Sequence, residues 1–81
     1  MDSVLVERIK ALLAEVFQVP LGEVNANLAF GDLPQWDSMG HMDVMMSLEE
    51  HFGVEINTDT IGELVSVPAI CAYLAEKTKN G

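Results

Sequence analysis

Asp37, Ser38 and His41 fall within five residues of one another, a serine and a histidine three apart with a carboxylate adjacent. On one helical face, Ser38 and His41 could form a nucleophile–base pair with a carboxylate beside it. No oxyanion site or cleft is implied around them, so no residue is assigned a catalytic role. His41 reads as a solvated surface histidine. His51, ten residues further on, reads as a cation near the open carbonyls of a helix end. The acidic spacing of a calcium loop is absent and no metal site is assigned, although loose cation binding by an acidic surface is expected. Cys71 is the single cysteine, which excludes an internal disulfide and a multi-cysteine zinc site. Its neighbours Ile70, Tyr73 and Leu74 suggest a half-buried, inert thiol on a helix face.

Ser38 has a second possible chemistry. A helix N-terminus offers unpaired N–H groups and a dipole that favour an anion, so a phosphodiester attached there meets a compatible field. The charge of Asp37 opposes it. One residue later an apolar stripe begins, Met39, Met42 and Met46, on nearly the opposite side of the helix from Val44, Leu48 and Phe52. Methionine suits surfaces that accept differently shaped apolar partners. The residues alone leave two readings open. Either Ser38 is a tether beside a partner face, or it is a first-turn serine and the stripe packs under a loop.

Charge narrows the partners. Thirteen acidic residues face four basic ones, a net charge of −9, and from Ala11 to Glu76 there is no Lys or Arg but eleven Asp or Glu. Such a surface repels phosphate backbones and anionic membranes, so no nucleic-acid partner and no membrane insertion are expected. It favours partners with basic docking patches and keeps a small protein monomeric. The longest apolar run, Ala69 to Ala75, is far too short to span a bilayer. No basic segment followed by an apolar run opens the chain, so a cytoplasmic location is expected.

The elements that must position these residues are helical. Leu5, Ile9, Leu12, Leu13 and Val16 predict a first helix over residues 3–17, capped by Asp2 or Ser3 and stopped by Val19-Pro20-Leu21-Gly22. Residues 20–37 form a long connection with apolar pins at Val24, Leu28, Phe30, Leu33 and Trp36. Those pins predict an ordered loop, with a short helical turn near Pro20 to Val24. Asp37 caps a second helix that Gly53 ends. Val44, Leu48 and Phe52, with Met45 beside them, face the core. Val54-Glu55-Ile56 is a short extended link. Asn57 to Thr60 caps a brief turn running into Ile61, Leu64 and Val65; Gly62 keeps it short and mobile. Ser66 caps a last helix with a Val67, Ile70, Cys71, Leu74 stripe, and residues 77–81 are expected to fray. Residues 1–81 are thus expected to form a single all-α domain: three main helices, one short helix and a long ordered loop between the first two main helices.

Asp37-Ser38-Met39-Gly40, followed by Leu48-Glu49-Glu50-His51-Phe52-Gly53-Val54-Glu55-Ile56, resembles the signature of the acyl carrier protein family. The likeness extends along nearly the whole chain, to the Ser-Val-x-x-Ile-x-x-Tyr-Leu pattern of the last helix. The resemblance implies a carrier that is a substrate of enzymes and not itself an enzyme. A phosphopantetheinyl transferase would attach 4′-phosphopantetheine from coenzyme A to Ser38, with Asp37 engaging the transferase. The arm would carry acyl or aminoacyl groups as thioesters in fatty acid, polyketide or related specialised biosynthesis, among loading and chain-processing enzymes. Those partners would dock on Met39, Met42, Asp43, Met46, Glu49 and Glu50. Val44, Met45, Leu48, Phe52 and Ile56 could line a pocket for the chain. Met39 stands where Leu is usual, and Asp-Ser-Met-Gly also resembles D-alanyl carriers, so an aminoacyl or peptidyl carrier of a nonribosomal system is the alternative. Gly40-His41 replaces a polar or acidic pair, which with Trp36 resembles stand-alone carriers of specialised pathways and suggests a site of partner choice. Outside the family, an unmodified helical module that uses the methionine stripe as a groove-binding face is the competing reading.

Overall fold

The computed structural model describes residues 3–78; the candidate cap Asp2 and the expected tail beyond Thr78 lie outside the described residues. Helix α1 spans Ser3–Phe17 and buries Leu5, Ile9, Leu12 and Leu13 as their spacing predicts, joined by Val6 and Phe17. Val16 is only partly buried, at the edge of the stripe. The stop comes at Gln18, which takes a left-handed φ of 57°. Its N–H donates to the Glu15 carbonyl at 3.3 Å, and the Val19 N–H donates to the Ala14 carbonyl at 3.0 Å. This double closure of a helix end normally uses glycine.

The long loop is ordered by its pins. Leu21–Glu23 form one 3₁₀ turn. Val24, Leu28 and Trp36 are buried in the core and Leu33 packs against it. Phe30 is 44% exposed and meets the interior through its edge-on contact with the His41 ring. Two backbone bonds hold the middle of the loop to the segment before the last helix: Phe30 N–H to the Val65 carbonyl and Val67 N–H to the Leu28 carbonyl, both 2.8 Å. Gly31, at a φ of 91°, lets the chain turn back toward Trp36, whose carbonyl accepts the Gly31 N–H at 3.2 Å.

Helix α2, Ser38–Phe52, starts at the Asp37 cap and ends at Gly53, which is left-handed at φ 67°. The following link is tied from both sides. The Glu49 carboxylate accepts the Ile56 N–H at 3.0 Å, and the Tyr73 hydroxyl donates to the Glu55 carbonyl at 2.8 Å. Helix α3, Thr58–Glu63, is six residues long. Asn57 caps it, its side-chain oxygen accepting from both the N–H and the hydroxyl of Thr60. Helix α4, Val67–Thr78, begins at Ser66, whose hydroxyl accepts the Ala69 N–H at 3.2 Å. Its stripe, Val67, Ile70, Cys71 and Leu74, is fully buried, so the Cys71 thiol lies inside the core and not at its edge. The helix continues through Lys77, past the expected start of fraying; the Lys77 ammonium sits 5.5 Å from the Tyr73 ring centroid, one turn back. Helices α1, α2 and α4 pack together as the main bundle, with α3 as the short fourth member.

Candidate functional site

The site is built on the first turn of α2. Asp37 holds an extended backbone, and its carboxylate accepts the Gly40 N–H at 2.9 Å. Its carbonyl accepts the His41 N–H at 2.7 Å. Ser38 is the first helical residue and is exposed, so its hydroxyl faces solvent on a rigid fifteen-residue helix. The cap occupies the Gly40 N–H and leaves those of Ser38 and Met39 to the field at the helix start. A phosphate group on the Ser38 oxygen fits this geometry.

Gly40 is fixed by packing. A Cβ at this position would overlap the carbonyl oxygen of Gln35, at the end of the long loop. The loop therefore lies against the helix two residues past Ser38, closer than any other residue type allows.

His41 is a buried residue, 6% exposed, and not the solvated histidine its polarity suggests. The Trp36 indole nitrogen lies 3.0 Å from His41 Nδ1, and His41 Nε2 lies 2.8 Å from the Ile61 carbonyl oxygen. With both ring nitrogens engaged, His41 has no nitrogen left to activate Ser38, which removes the nucleophile–base pair. The signal was present in the spacing: His41, Val44, Met45 and Leu48 fall at i, i+3, i+4 and i+7 on the buried face. Gly40 and His41 thus both serve packing between α2, the long loop and α3. His51 is exposed in the last turn of α2.

The methionine stripe does not pack under the loop. Met39 is 81%, Met42 45% and Met46 62% exposed. Asp43, Glu49 and Glu50 are exposed among them, and Asp43, Met46 and Glu50 border a shallow groove that Glu15 and Val16 of α1 complete. Glu49 also has a structural duty, since its carboxylate caps Ile56. Among the expected pocket residues, Val44, Met45 and Leu48 lie in the core, while Phe52 and Ile56 are half-buried beside it. Phe52 lines a groove of about 270 Å³ between α1 and α2, where the Arg8 guanidinium stands 4.6 Å from its ring centroid. Among the described residues, no three His, Cys, Asp or Glu side chains gather to hold a metal ion. No helix of the described residues is long and apolar enough to cross a membrane.

Residues 7–74 match the family model described as the phosphopantetheine attachment site. The chain belongs to the acyl carrier protein family. The acyl carrier protein of Zymomonas mobilis is 34% identical over 70 residues, covering 86% of this chain and 90% of that protein. That of Chlamydia caviae is 31% identical over 77 residues, covering 95% and 97%. That of Thermosynechococcus vestitus is 29% identical over 76 residues, covering 94% of each. The carrier's cofactor is a covalently attached 4′-phosphopantetheine, which supplies a thiol on a long flexible arm. Acyl carrier proteins are carriers and not catalysts, and they work with partner enzymes.

Proposed function

We propose that Ser38 receives the arm and that this chain presents thioester-bound acyl or aminoacyl groups to enzymes docking on α2. The observation that carries this reading is the position of Ser38: an exposed hydroxyl on a capped helix start, at the head of an exposed stripe of methionines and acids. In the loading step, the Ser38 oxygen bonds to the pantetheine phosphorus of coenzyme A and the pyrophosphate bond breaks. The adenosine bisphosphate half leaves, and the Ser38 proton passes to a base of the transferase. Asp37 holds Ser38 in the first turn and offers the transferase a negative charge. Met39, Met42, Asp43, Met46, Glu49 and Glu50 form the partner face, which suits enzymes with apolar patches ringed by Arg and Lys.

The cargo belongs to fatty acid, polyketide or related specialised synthesis, with a nonribosomal aminoacyl cargo as the alternative. Val44, Met45, Leu48, Phe52 and Ile56 are the residues that an entering chain would have to part. A monomer fits the net charge of −9, and a cytoplasmic location belongs to the same reading.

Incubation with coenzyme A and a broad-specificity phosphopantetheinyl transferase, followed by intact mass measurement, tests the assignment. The expected result is a gain of one arm that Ser38→Ala abolishes. No gain, or a gain that survives Ser38→Ala, overturns it. Met42→Glu leaves loading at Ser38 in place if the stripe serves later partners. If Met42→Glu abolishes peptide binding while Ser38→Ala leaves it intact, the chain is an unmodified interaction module instead.

A further inference from the structure

Next to Ser38 lies a buried polar chain that carrying an arm does not require. The indole nitrogen of Trp36 can only donate a hydrogen bond, and the Ile61 carbonyl can only accept one. The two contacts of His41, at 3.0 Å and 2.8 Å, therefore form together only when Nδ1 is bare and Nε2 carries the proton. That is a single neutral tautomer. Three elements meet on this ring: the long loop through Trp36, α2 through His41 itself, and α3 through Ile61. Phe30 stands edge-on to the imidazole at 5.6 Å and 90°, and Phe17 leans on the indole at 5.6 Å. Trp36 is 0% exposed, so water cannot replace a lost partner without the loop moving.

We propose that His41 is a proton-controlled latch that closes the loop onto the first turn of α2 when neutral and releases it when protonated. A proton on Nδ1 would point at the indole N–H, setting two donors against each other in a buried site. The Ile61 contact survives, because Nε2 donates in both forms. Acid therefore loosens the Trp36 side and leaves α3 attached. The charged and titratable groups on the elements packed around the ring are Glu23, Asp32 and Asp37 of the loop, Asp43, Glu49, Glu50 and His51 of α2, and Asp59 and Glu63 of α3, all of them exposed. Asp32 accepts the Ala29 N–H and Asp37 the Gly40 N–H, and among the described residues none bonds to the imidazole. His41 is a positioning residue for the loop beside Ser38, and the latch stands whether or not Ser38 carries the arm.

Nitrogen-edited NMR of the isotope-labelled full chain from about pH 8 to about pH 5, the range in which histidine changes charge, tests the latch. At the upper end, His41 should show a bare Nδ1 and a protonated Nε2, with the Trp36 indole proton downfield and slow to exchange. On acidification the indole proton should shift upfield and exchange faster, with the same midpoint as the His41 nitrogens. In His41→Gln that pH dependence should vanish, and in His51→Gln it should persist. An Nδ1–H tautomer overturns the proposal. So does a His41 ring that stays neutral throughout, an indole signal that ignores the His41 titration, or a pH dependence that persists in His41→Gln.

Discussion

The carbonyl oxygen of Gln35 occupies the place where any residue but glycine at position 40 would put its Cβ. The close approach needs no unusual backbone at Gly40, since among the described residues the positive φ values belong to Gly31, Gly53 and Gln18. It is a steric lock between the end of the loop and the turn that carries Ser38. Gly40→Ala adds helix propensity worth about 1 kcal/mol. It also forces backbone apart, and overpacking of this kind costs about 1–3 kcal/mol. The expected outcome is a net loss of up to about 2 kcal/mol in urea unfolding, with slower loading by the transferase. A variant as stable as the parent would show that the loop yields freely.

Gly62 provides the opposite case. A Cβ there meets nothing within 4 Å, and Gly62 lies inside the six-residue α3. Gly62→Ala should stabilise the fold by up to about 1 kcal/mol, through helix propensity and a less flexible unfolded chain. Urea midpoints read the gain, and slower amide exchange in α3 locates it.

Asp37 combines a cap with a charge, and two variants separate them. Asparagine keeps a side-chain oxygen for the Gly40 N–H and caps as well as aspartate, so Asp37→Asn should hold the unfolding free energy in urea within a few tenths of a kcal/mol. Alanine removes the acceptor and should cost about 1 kcal/mol. If the charge engages the transferase, both variants load slowly, including the one that is still stable. Normal loading of Asp37→Asn would assign the residue to structure alone.

Self-repulsion should appear in the salt dependence. Against a net charge of −9, the ion pair identified among the described residues is Lys10–Glu7 at 3.2 Å on the surface of α1. Such a pair contributes no more than about 0.5 kcal/mol. Moderate salt screens charges beyond about 10 Å, so the melting temperature should rise with added salt, and further with Mg²⁺ at equal ionic strength. A melting temperature indifferent to both would remove repulsion as a significant term.

Helix starts were legible because capping is local chemistry. Asp37, Asn57 and Ser66 each satisfy an N–H group three residues ahead, and Gly53 supplies the left-handed stop of α2. The apolar stripes of α1 and α4 and the two faces of α2 followed from period alone. The left-handed Gln18 was not legible, since nothing in that residue type favours the conformation. The Phe30–Val65 and Leu28–Val67 backbone bonds join positions more than thirty residues apart, a pairing no local pattern encodes.

The sequence by itself determined the helices, the spacing of the methionine stripe that follows Ser38, and the family, because caps, periods and signatures all lie within a few residues of one another, whereas the exposure of that stripe was left to the fold. Only the tertiary structure decided the roles of Gly40 and His41. One is required by a carbonyl from the folded-back loop, and the other is buried because Trp36 and Ile61 supply its two partners. A polar residue can enter a core when distant elements satisfy it. That condition is set by three elements meeting in space, which spacing along α2 could hint at but not fix.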